Sequence, residues 1–130
     1  MSAIERPVVK PRPVYLNLVK IRLPLPGIVS ILHRISGAVL FLFAIPVLLA
    51  GVGMSLASAE SFAALKALVA HPLAKLLLLG FAWAYLHHFI AGLRHLWMDA
   101  THAVTREFGR QSAVATLALS VLLTLALGFK

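Results

Sequence analysis

Leu76-Leu77-Leu78-Leu79-Gly80-Phe81-Ala82-Trp83-Ala84-Tyr85-Leu86-His87-His88-Phe89-Ile90-Ala91-Gly92-Leu93 decides the fold of this chain. The run is about 18 residues long and holds no Asp, Glu, Lys or Arg, which lets a helix cross a hydrocarbon core about 30 Å thick. It continues into Arg94-His95-Leu96-Trp97-Met98-Asp99. Ionisable groups are costly in lipid, so this polar end must face a cofactor, a partner or water. At about 100° per residue, His88, Gly92, His95 and Asp99 fall on one stripe. Such a stripe suits a haem, because an imidazole can ligate iron and glycine leaves room for a flat ring. The competing reading of His88 is a neutral imidazole hydrogen-bonded to another helix. His87 points about 100° away from His88 and reads as a packing histidine.

Two further uncharged runs flank this one. Ile35 to Ala59 is about 25 residues and Gln111 to Phe129 about 19. Hydrophobic residues make up 61% of the 130 and charged residues 12%, which excludes an ordinary soluble domain. The expectation is an all-α membrane protein with three transmembrane helices in a bundle. They fall at about 27–55, 64–99 and 111–129, with residues 27–130 as the anchor domain. Pro46 sits inside the first helix as a kink site, and Pro72 marks a bend or start in the second. Loops are expected at Ala57 to Ala63 and Ala100 to Arg110. The third helix offers Ala113, Ala115, Ala118 and Ser120 for close packing. Residues 1–26 hold five prolines and read as an extended or broken arm that rests on headgroups or docks a soluble partner. No segment reads as a signal peptide.

Charge placement gives the orientation. Of the net +8, Arg6, Lys10, Arg12, Lys20, Arg22 and Arg34 precede or open the first span. Arg94, Arg106 and Arg110 surround the second connection, whereas the first carries Lys66 and Lys75 against Glu60. The positive-inside rule therefore places the N-terminus in the cytoplasm. No soluble basic domain exists to bind nucleic acid. With no cysteine, the chain supplies neither a c-type haem attachment nor thiolates for an iron–sulfur cluster.

Ser30-Ile31-Leu32-His33-Arg34-Ile35-Ser36-Gly37 is a second polar cluster, and Ser30, His33, Arg34 and Gly37 share a helical face. A hydroxyl one turn before a guanidinium lets both donate to a carbonyl oxygen and stabilise charge developing there. Helices one and two are antiparallel, so this cluster approaches the depth of Arg94, His95 and Asp99. His88 lies about 10 Å deeper than His95. Arg34 has the alternative of snorkelling to headgroups, His95 of capping its helix end, and Arg94 of serving as a stop-transfer charge.

Together Arg12-Pro13-Val14-Tyr15-Leu16-Asn17-Leu18, the Ser30 to Gly37 cluster and the His88 to Asp99 stretch resemble the cytochrome b556 membrane-anchor subunits of succinate dehydrogenase. The resemblance implies a non-autonomous subunit of a four-part succinate:quinone oxidoreductase, and with no recognisable transit peptide a bacterial inner membrane is expected over a mitochondrial one. A flavoprotein oxidises succinate, and an iron–sulfur subunit carries electrons to the membrane. A second small anchor shares one haem b with this chain. His88 matches the axial haem ligand, and His33, Arg94 and His95 match positions around the haem. Ser30 and Arg34 match the residues that bind ubiquinone. An unrelated membrane cytochrome b and a cofactor-free membrane scaffold are the alternatives left by the residues alone.

Overall fold

A computed structural model describes residues 21–102 and 104–129, which are helical almost throughout. The motif at Arg12 to Leu18, and with it most of the N-terminal arm, lies outside the described residues. Three helices are long and apolar enough to cross a membrane: Leu25–Ala57, Pro72–Thr101 and Arg106–Gly128.

The first begins as α1 (Leu25–Val39), with Pro26 early in its first turn, where no backbone donor is needed. It widens into a π-helical turn at Leu40–Ala44 and resumes as α2 (Ile45–Ala57). The wide turn falls just before Pro46. A proline inside a helix withholds one hydrogen bond and its ring presses on the carbonyl four residues earlier, here Leu42. The π turn absorbs that misfit, and the amide of Ile45 reaches back to Leu40 O.

The connection expected as a loop is mostly helix. Ser58 caps α3 (Ala59–Ala70), and Ser58 and Ser61 satisfy each other's backbone amides at 3.1 Å. The extended backbone of His71 then separates α3 from α4 (Pro72–Thr101). The second span therefore starts at Pro72, the later of the two starts the sequence allows. The third, α5 (Arg106–Gly128), starts five residues earlier than expected. Thr105 caps it by accepting from the amide of Phe108 at 3.2 Å, and Glu107 lies in its first turn.

Among the spans, α4 is central, packing against both α1 and α5, and α1 also touches α5. Their shared core is Val29, Ala91 and Ala113, with Leu25 and Leu117 against it. Lipid removes most of the hydrophobic drive between helices, so close approach of small residues supplies the cohesion. The buried stripe of α5 is Gly109, Ala113, Thr116, Ser120 and Thr124. Its hydroxyls disappear into their own helix: Thr116 donates to Ser112 O (2.8 Å), Ser120 to Leu117 O (3.0 Å) and Thr124 to Ser120 O (2.7 Å). Ala115 and Ala118, expected in this packing, are exposed. The close-packed stripe runs at threonine and serine positions one step round the helix from them.

Candidate functional site

On α1, His33 and Gly37 are four residues apart and both face α4. Opposite them α4 presents His88, Gly92 and His95. The rings of His33 and His88 stack with centroids 4.1 Å apart and planes 5° from parallel. The His95 ring lies 5.2 Å from His33 and is tilted by 56°. Two glycines make the approach possible. A Cβ at Gly37 would come within 2.7 Å of His88 Cε1, and one at Gly92 within 3.4 Å of His33 Nε2.

A hydrogen bond fixes the chemistry of His88. Its Nδ1 lies 2.8 Å from the backbone carbonyl of His33. A carbonyl only accepts, so Nδ1 carries the proton and Nε2 keeps its lone pair. This is the arrangement of a metal-ligating histidine whose other nitrogen is held by the protein. The Ser36 hydroxyl, 3.4 Å from that Nδ1, donates to the same carbonyl at 2.9 Å. Ser36 is buried, and it is the residue of this cluster that sequence reasoning misses. Its spacing of three residues from His33, with a serine's habit of bonding its own helix, is the available signal.

His87 has the opposite fate. It is fully buried, its ring stacks on Trp83 at 5.3 Å, and neither ring nitrogen has a hydrogen-bond partner. The Val29 backbone lies close by without forming a hydrogen bond to it. With Ala84, Ala91 and Arg94 it forms the buried stripe of α4. Of the two neighbouring histidines, only His88 reaches the cluster with His33 and His95.

Ser30 and Arg34 lie one turn apart on the flank of α1 beside His33 and Gly37, Ser30 half-buried and Arg34 exposed. Asp99, further along the α4 stripe, is exposed. Arg94, expected beside the cofactor, bonds to α5. It is only 7% exposed, and Nε donates to Ser112 Oγ at 2.8 Å while a terminal nitrogen donates to Gly109 O at 3.2 Å. One residue before His95 means about 100° of rotation, which turns Arg94 onto α5.

The residues fit a haem. They offer one imidazole with a free nitrogen, two glycines that let the His88 and His33 rings seat between α1 and α4, and half-buried rings at the bundle's flank. Among the described residues no three of His, Asp or Glu converge to hold a bare ion.

Fold and site together define a helical, multi-pass membrane subunit with an imidazole site between its first two spans. The chain belongs to the succinate dehydrogenase/fumarate reductase transmembrane subunit family, whose model matches residues 9–127. It is similar to the succinate dehydrogenase cytochrome b556 subunit of Coxiella burnetii (strain RSA 493 / Nine Mile phase I), 42% identical over 113 residues, covering 84% of this chain and 87% of that protein. It is also similar to the succinate dehydrogenase cytochrome b556 subunit of Paracoccus denitrificans, 36% identical over 112 residues, covering 86% and 85% of the two chains.

Proposed function

We propose that this chain anchors a succinate dehydrogenase to a bacterial inner membrane, shares a haem b with a second small anchor, and forms part of a ubiquinone-reducing site. The observation that carries the reading is His88, held through Nδ1 by the His33 carbonyl with Nε2 left for iron. His33 and His95 lie beside it and would help hold the haem. The site opens on the bundle's flank, where a second anchor would help hold the haem. The haem, when bound, supplies one-electron storage.

Ubiquinone is the substrate. Ser30 donates to one quinone carbonyl. Arg34 stabilises the negative charge that develops on that oxygen as electrons arrive from the iron–sulfur subunit. An exposed cation about two turns into an apolar helix needs such a ligand, a partner or water. With the N-terminus cytoplasmic, this pocket lies on the side from which the flavoprotein and iron–sulfur subunits dock.

The test is an optical difference spectrum of the complex purified through this chain, reduced with succinate and then with dithionite. A b-type band that His88→Ala abolishes supports the haem reading, and an undiminished band in that variant overturns it. For the quinone half, Arg34→Ala lowers quinone reduction while succinate oxidation by a soluble artificial acceptor is kept. Equal loss of both in an assembled complex overturns that assignment.

A further inference from the structure

Arg94 is a buried cation with no carboxylate among the described residues in its hydrogen-bond set, at the junction of all three spans. Its two acceptors belong to the first two turns of α5. Ser112 Oγ is itself tied to Gly109 O at 3.3 Å, so guanidinium, hydroxyl and carbonyl close a small triangle. Gly109 is buried, and a Cβ there would rest 3.7 Å from Pro26 of α1. The triangle thus abuts α1 four residues before Ser30. A guanidinium is suited to this place because its planar fork reaches two acceptors at a fixed angle, which an ammonium does not.

Small residues make up much of the rest of the α4–α5 contact. Ala91, Ala113 and the back-bonded hydroxyls of α5 make smooth surfaces that permit close approach and carry no directional tie between the helices. His87 adds bulk and no hydrogen bond. Arg94 therefore supplies the one side-chain hydrogen-bonded tie between α4 and α5 among the described residues. His88 and His95 project from other sides of the same rigid helix, so any rotation of α4 carries them past His33 and Gly37.

We infer that Arg94 is a positioning residue. Its tie to Ser112 and Gly109 sets the rotation of α4 and so aims His88 and His95 at α1. The inference rests on the haem reading of His88 for one of its readouts only.

The assembled complex carrying Arg94→Lys, Ser112→Ala or Ser112→Thr is compared with the parent. The expected result is retained haem with a displaced midpoint potential and a displaced low-spin ferric EPR signal in Arg94→Lys and Ser112→Ala. Ser112→Thr keeps the hydroxyl and restores both. A second readout needs no haem. The chain has no cysteine, so Ala91→Cys places a single thiol in this chain's buried core. Its labelling by a lipid-soluble maleimide rises several-fold when Ser112→Ala or Arg94→Lys is added. Unchanged potential, EPR signal and labelling in both variants overturn the inference. Should Arg94→Lys fail to assemble, Ser112→Ala decides alone. Should His88→Ala retain its haem, the haem reading falls while the labelling still judges the tie.

Discussion

His87 and His88 are the same residue one peptide apart, and they show what the two faces of α4 are for. Into the bundle, against α1 and α5, the helix presents Ala84, His87, Ala91 and Arg94, all buried. There, polar atoms either find partners inside the bundle, as Arg94 does, or go without, as both nitrogens of His87 do. Toward the flank of α1 it presents His88, Gly92 and His95, half-buried, with glycines where side chains would collide. The first face is closed and dedicated to cohesion. The second is cleared, with one nitrogen fixed and the other available. A membrane helix cannot sort its faces by polarity alone. It sorts them by what each polar atom is given to bond.

The two faces separate most sharply at the two histidines. His88→Ala is expected to abolish the b-type band, whereas His87→Phe keeps it and keeps the stack on Trp83. In His87→Phe the complex is also expected to melt no lower, since two unpartnered buried nitrogens at about 1–3 kcal/mol each are removed. Optical spectra and thermal melts of the purified complex check both. If the band follows His87, the assignment of the faces is reversed.

A second contrast acts on clearance. Gly37→Val puts a branched side chain where even a Cβ would sit 2.7 Å from His88 Cε1. Haem content is expected to fall several-fold with the chain still inserted, as judged by haem-to-protein ratio. By contrast, a Cβ at Gly51 or Gly53 meets nothing within 4 Å of this chain. Gly51→Ala and Gly53→Ala are expected to leave haem content unchanged and to firm the helix by up to about 1 kcal/mol each, read as a small rise in melting temperature.

The mildest change belongs to a position on neither face. His102 ends α4 in the left-handed region at φ 53°, which costs an L-residue roughly 1 kcal/mol. His102→Gly is expected to recover about that much with the spectrum unaltered. A spectral change there would mean that the end of α4 also shapes the site.

The three spans are legible in the sequence because an apolar run of about 18 residues or more without charge is rare outside a membrane. The depth relation is legible too, since antiparallel neighbours bring the start of α1 beside the end of α4, and His33 does meet His88 and His95. Rotation is not. A helix that is apolar on every side carries no stripe that says which flank is inside. Sequence therefore puts Arg94 and His95, one residue apart, in the same environment, and the structure parts them. The buried side of α5 is half legible: Ala113 and Ser120 are buried as expected, whereas Thr116 and Thr124 read as polar although their hydroxyls are already spent on their own helix. Helix starts carry more signal than the expected boundaries use. Thr105 followed by Glu107, and Ser58 followed by Ser61, are both capping patterns.

The acceptor that holds His88 is a main-chain carbonyl, and this has a genetic consequence. Every codon at position 33 that keeps α1 helical there encodes the same oxygen in the same place. A screen of substitutions at position 33 reports on the side chain and stays silent about the carbonyl. The tautomer of His88 is inherited through the path of the backbone, and only a change that breaks the helix, such as proline nearby, can delete it.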